Sequence, residues 1–214
     1  MVGTTKQKLW DGAMTELGHR NVSTSENGPP RRTLDLVYDK VVEECLSEAS
    51  WNFAMKSQQL DSDTGVTVNF GQQRIFAKPS DWLRTFALSA DEEFSIPLTG
   101  YLDEKSRIIA DATPIYAQFV SNDTGAGLDL NKWPIKFTRY VECELADRTC
   151  MRLTGDKKLK EDIEGRTHRE KREAKAADAM DESIKFRPMS SWASARLSQQ
   201  RSRWDRGKRD TLIG

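Results

Sequence analysis

The sequence has little with which to do covalent chemistry. Only two histidines occur in its 214 residues: His19, expected just past a helix end, and His168, inside a run of charge. Both positions suit surface imidazoles better than a catalytic base. The three cysteines, Cys45, Cys143 and Cys150, contain no Cys-x-x-Cys pair, so zinc-ligand spacing is missing. On a helix Cys143 and Cys150 would stand two turns apart, a rise of about 10 Å, which exceeds the reach of a disulfide and predicts free thiols. A phosphate loop is missing as well, because Gly125-Ala126-Gly127 lacks the Lys-Ser/Thr ending. No apolar run approaches the roughly 18 residues of a membrane span, and the first residues lack an apolar secretory core. A soluble protein made in a cytosol, with no membrane association, is expected.

Net charge is also lacking, but only in the sum. Thirty-three basic residues balance thirty-three acidic ones. From Lys185 onward there are eight Lys or Arg and two Asp or Glu, whereas the rest holds twenty-five basic and thirty-one acidic residues. The chain therefore reads as an acidic body with a basic tail. The tail is an interaction arm in pattern, suited to nucleic acid, to an acidic protein surface or to the acidic body of a neighbouring copy. The apolar share is 37% against 31% charged, modest core material for this length, so some elements are expected to rely on neighbours.

What is present begins with helical periodicity. Leu9, Trp10, Ala13, Met14 and Leu17 share one face of a helix over residues 5–17, and Gly18 suits its C-terminal cap. Gly28-Pro29-Pro30 reads as a stop, followed by a second helix from about Arg32 to Ser50. Its stripe is Leu34, Tyr38, Val41, Cys45 and Ala49, widened by Val37, Val42 and Leu46. Trp51 and Phe53 then alternate across an extended exit and are expected to close the core where helix gives way to strand. In Lys78-Pro79-Ser80-Asp81 a turn is predicted, with Ser80 or Asp81 bonding nearby backbone before Trp82-Leu83-Arg84 opens a strand.

Short extended runs occupy residues 74–77, 82–88, 100–102, 107–110 and 115–120, with Asp103-Glu104-Lys105-Ser106 as a hairpin turn. They predict a small antiparallel sheet or sandwich set between helices. Asn122 to Gly127 breaks that pattern. A third helix over about 131–153 carries Phe137, Val141 and Leu145 on one side and Tyr140, Cys143 and Cys150 on another, so more than one neighbour should enclose it. Gly155 ends it. A strongly charged fourth helix, Asp156 to Phe186, would run about 45 Å. Its seam is limited to Leu159, Ile163, Ala174, Ala177 and Ile184, with Asp162–Arg166 and Glu164–His168 as possible i,i+4 pairs. A seam so narrow predicts a subunit interface at Leu159, Ile163, Ala174 and Ala177. Beyond Pro188, Trp192, Leu197, Trp204, Leu212 and Ile213 lie among Ser, Gln and Arg, a mixture that folds on a partner. The expected fold class is α+β: a bundle of about four helices (1–53 and 123–187), an inserted β domain (54–122) and an extended arm (188–214).

Leu17-Gly18, Trp51-Asn52-Phe53, Pro79-Ser80-Asp81-Trp82-Leu83, Trp133-Pro134-Ile135, Arg139-Tyr140 and Ala146 to Gly155, in that order, resemble the podovirus head-to-tail adaptor family, also called tail tubular protein A. The likeness spans most of residues 4–185. It implies a structural virion protein of the bacteriophage tail, assembled in the host cytoplasm as a dodecameric homo-oligomer ring. Its implied partners are the portal protein above and the tail nozzle protein below, with DNA passing through the channel without sequence-specific binding. The family's C-terminal extension clasps the portal, which makes Arg203, Trp204, Arg206, Lys208, Arg209, Leu212 and Ile213 the portal-binding candidates. The chain departs from the family in its unusually charged fourth helix and long Arg-rich tail.

Two other functions compete. Arg201-x-Arg203-Trp204-x-Arg206-x-Lys208-Arg209 interleaves cations with an aromatic, as nucleic-acid phosphates and bases require, although Asp205 and Asp210 interrupt it and no base-reading element accompanies it. Protein docking is therefore favoured. A tail-associated cell-wall hydrolase would use paired carboxylates. Asp91-Glu92-Glu93 and Asp103-Glu104 are the clusters available, both in polar turns without an apolar pocket to raise a carboxyl pKa. No enzyme activity, cofactor or metal is expected, and Trp51, Phe53 and Trp82 are read as structural core.

Overall fold

The computed structural model describes residues 4–19, 28–63, 65, 74–95 and 97–181. Helix α1 is Lys6–Glu16, opened by Thr5, whose hydroxyl accepts from the Lys8 amide, and closed by Gly18 at φ +70°. That left-handed φ is where glycine is needed. Helix α2 is Pro29–Ser47. The two prolines are its first residues and not a stop before it, because the first helical positions have no intrahelical use for an N–H and proline's fixed φ suits them. Helices α3, Ile135–Leu153, and α4, Lys157–Asp181, follow the β strands, with Gly155 at φ +69° between them.

Between α2 and α3 the chain forms β1 (Met55–Leu60), β2 (Arg74–Ala77), β3 (Trp82–Ser89), β4 (Tyr101–Asp103), β5 (Arg107–Ala110) and β6 (Ile115–Ser121). They make two antiparallel three-stranded sheets, ordered β1-β6-β3 and β2-β5-β4. Leu60, Leu88, Ile115 and Ala117 from the first share a core with Phe76, Ile108 and Ala110 from the second, so the sheets pack face to face as a small sandwich. The fold is α+β, as expected.

The helical layer has its own core. Helix α3 touches α1, α2 and α4, and this explains its apolar groups on several sides: Phe137, Tyr140, Val141, Cys143, Leu145, Ala146 and Cys150 are all buried. Trp51 caps this core at 1% exposure, its indole N–H donating to the Cys45 carbonyl at 2.8 Å. Its ring meets Phe137 edge-on with centroids 4.8 Å apart, and Phe53 lies 4.7 Å from Phe137. The expected extended exit is instead a short 3-10 turn, Asn52–Ala54, which brings Trp51 and Phe53 to the same cluster where alternation would have parted them.

Trp82 belongs elsewhere. It is half-buried, packs against the sandwich core and stacks on Phe119 at 4.0 Å with the planes 10° apart. Asp81 forms a tie across elements: its carboxylate accepts from Lys56 of β1 at 2.8 Å and from Ser121 of β6 at 2.7 Å. Return to the helices depends on Gly127. A Cβ there would strike the Ser121 carbonyl, and the Gly127 carbonyl accepts from the buried Trp133 indole at 2.8 Å. All described residues belong to one compact unit that ends at Asp181.

Candidate interaction surfaces

Arg203, Trp204, Arg206, Lys208, Arg209, Leu212 and Ile213 lie outside the described residues, as does Ile184. The fourth-helix seam is visible, and its placement revises the interface expected there. Ile163 and Ala174 are 1% and 2% exposed, packed into the core that α1, α2 and α3 share, with Leu159 packed against its edge and Ala177 half-buried. The physical reason is an underestimate of how α4 is anchored. A few small side chains let α4 approach α3 closely, and ion pairs then fasten its length to three other elements.

Those ties are specific. Lys160 Nζ lies 2.6 Å from Asp147 and Lys136 Nζ lies 2.5 Å from Glu173, joining α4 to α3. Arg166 crosses to Glu16 of α1 at 2.9 Å, a long-range pair in place of the local one expected with Asp162. Just past α2, Glu48 receives both Lys171 at 2.6 Å and Lys175 at 3.2 Å. The hydrogen bond from Lys171, opposed by burial and reinforced by Lys175, holds this carboxyl below the usual range. The Asn52 backbone N–H donates to Asp178 at 3.0 Å, and its side-chain amide donates to the Asp178 carbonyl at 2.7 Å.

A cleft of about 510 Å³ opens where α2, α3 and α4 meet. Arg148 bridges Glu44 at 2.7 Å and Glu144 at 3.0 Å on its wall, beside the Lys160–Asp147 and Lys171–Glu48 pairs. Its charges largely neutralise one another, so the cleft works as an electrostatic seam. Below lie Tyr140 and Cys45, which share a hydrogen bond, and burial pushes both groups up, away from their ionised forms. Thiolate is the reactive form of cysteine, so Cys45 is held inert. Burial likewise lifts the Cys143 thiol to about 12. All three cysteines are free.

The carboxylate clusters of the turns are engaged locally. Asp91 accepts from the Ser95 amide at 2.9 Å, and Asp103 accepts from Thr85 at 2.6 Å and pairs with Lys78. Glu104 pairs with Arg107. Among the described residues no group of three or more ligand-type side chains is arranged to hold a metal, and no helix is long and apolar enough to cross a membrane.

Glu142 is a carboxyl whose chemistry the sequence did not flag. It sits half-buried on α3 under α1, in the space a Cβ of Gly12 would need. Burial, with Glu16 nearby and only partly offset by Arg139, raises its pKa to about 7. The readable signal was Gly12 inside an otherwise regular helix, which marks a close approach.

The surface carries isolated apolar side chains on helix faces, Leu36 of α2 at 70% exposure and Met180 of α4 at 86% among them. No protein-family model matches the chain, and no curated protein matches it either.

Proposed function

We propose that the protein is a structural component of a bacteriophage tail, a head-to-tail adaptor that assembles as a ring of identical copies beneath the portal. The observation that carries this reading is the order of parts. Two helices, a β sandwich, and two further helices follow in the order that the resemblance implies. In this reading the ring is dodecameric, extends the DNA channel, and offers a surface to the tail nozzle protein. The basic arm after α4, with Arg203, Trp204, Arg206, Lys208, Arg209, Leu212 and Ile213, docks on the portal. Its mechanism is coupled folding and binding, in which a weak contact is multiplied by the number of copies in the ring.

Mixing the chain with its portal ring and imaging the product tests the proposal: a second ring stacked on the portal is expected, and an undecorated portal overturns it. Deleting Ser202 to Gly214 separates the adaptor from the alternative favoured by the Arg and Trp pattern of the arm, a nucleic-acid-binding protein. Loss of portal docking with unchanged DNA affinity supports the adaptor. Loss of salt-sensitive DNA binding with docking intact supports the alternative.

A further inference from the structure

Gly12 stands midway along α1, where alanine would favour the helix more. What glycine permits there is contact. A Cβ at this position would strike the Glu142 side chain, so the carboxyl of α3 lies directly against the α1 backbone. α1 therefore covers a group that can carry charge, and the charge needs water that α1 keeps from it.

Charged side chains from three helices face this contact. α1 supplies Glu16, one turn beyond Gly12 on the same side of the helix. α3 supplies Arg139, which is exposed and acts on Glu173 as well. From α4, Arg166, Arg169, Glu170 and Glu173 line a groove of about 360 Å³ together with Glu16 and Cys143. Arg166 is engaged by Glu16 at 2.9 Å, and Arg169 acts on Glu173. One carboxylate oxygen of Glu170 is buried without a hydrogen-bond partner among the described residues. An ionised Glu142 thus meets surroundings that are already acidic, and Arg139 alone offsets them only in part.

α1 is also the helix best able to respond. It has 11 residues, against 19, 19 and 25 for the others, and it packs chiefly on α3, with ion pairs to α2 through Lys6–Asp35 at 3.0 Å and to α4 through Glu16–Arg166. A helix this short is marginal away from its packing partner, so lifting α1 also melts it.

We propose that Glu142 is a proton-operated latch for α1: with the carboxyl neutral the helix seats on α3, and with the carboxyl ionised α1 lifts and melts by itself while α2, α3 and α4 stay packed. The sign follows from burial and from Glu16, both of which favour the neutral form under the closed helix. Opening α1 returns the group to water and releases the proton. The frequency of opening therefore climbs as pH rises from the ordinary carboxyl range and levels off above about 7. A general loss of stability at high pH needs no latch; the latch adds an opening confined to α1, more frequent than the one that exposes α3. The device does not depend on the tail-adaptor reading.

Hydrogen exchange of the full chain at pH 5.5 and pH 8, with each amide rate divided by its intrinsic rate at that pH, tests the proposal. At pH 8 the α1 amides should be at least about tenfold less protected than those of α3, and their opening at least about tenfold more frequent than at pH 5.5. The α4 amides after Ala174, whose local opening leaves Glu142 covered, should change less than about twofold. In Glu142→Gln, which mimics the neutral carboxyl, α1 should open no more often at pH 8 than at pH 5.5. Three results overturn the latch: α1 as well protected as α3 at pH 8, α1 opening that is level with pH in the parent, or a pH dependence that survives in Glu142→Gln. The first two are read on the parent chain, so a variant that fails to fold leaves the test intact.

Discussion

Helices α3 and α4 differ in composition, α4 being much the more highly charged, and they are held in place in different ways. α3 buries eight of its 19 residues, and other helices cover it on several sides. α4 buries three of its 25 and relies on charged pairs to α1, α3 and the end of α2. The contrast shows that a helix can be fixed in place by two different currencies of interaction. Apolar burial is strong and indifferent to salt, whereas exposed ion pairs contribute little each and are screened. α3 should therefore open only when the whole helical layer does, while the outer turns of α4 open sooner. Hydrogen exchange checks this directly: α3 amides should exchange at the global rate, and those after Ala174 faster.

Cutting into α3 should do the most damage. Phe137→Ala removes the ring that meets Trp51, Phe53, Trp133 and Tyr140, so a loss of about 3–5 kcal/mol is expected in denaturant melts. A loss under about 1 kcal/mol would show that the cluster can collapse into the space. Ile163→Ala probes the apolar anchor of α4 and should cost about 2–3 kcal/mol, because the side chain is buried but belongs to a thinner contact. Glu48→Gln removes the negative charge that two lysines pair with. Those pairs are exposed, so about 1 kcal/mol or less is expected, shrinking further in high salt. A salt-independent loss would mean that Glu48 contributes by packing.

The subtlest expected effect is a change of slope. The Glu142 carboxyl has a folded pKa of about 7 against the ordinary carboxyl value of 4.5, so the folded state binds the proton more tightly. Stability from this group is present at low pH and is lost as pH rises from the unfolded value through about 7. Glu142→Gln should therefore melt higher than the parent at pH 8 and lose that advantage near pH 5. An advantage independent of pH would assign the effect to packing under Gly12 and not to charge.

Legibility in the sequence followed the source of each element's stability. β2 and β5 fall on the residues expected, since their apolar content is local, and Gly18 and Gly155 end α1 and α3 because a left-handed φ is a property of one position. β1 went unread. Its residues, Met-Lys-Ser-Gln-Gln-Leu, have almost no alternation, and it is a strand because β6 pairs with it along its whole length. The start of α2 was misplaced because Pro29-Pro30 supports either a break or a first helical turn, and only the packing of Thr33 and Leu34 selects the second.

The same division holds for the surfaces. From sequence, α4 showed a seam too thin to hold it, because Glu16 and Arg166 are 150 residues apart and their meeting depends on two helices crossing. The exposed side of α4, with Arg172 and Ala176, is defined only once the bound side is known. On its own, the sequence determined the fold class, the helix periodicities, the turn positions and the charge split between body and tail, all set by neighbours within a few residues. The tertiary structure decided which faces are spent inside the chain and which remain open. Burial and ion pairing are relations between distant segments, and no local pattern encodes them.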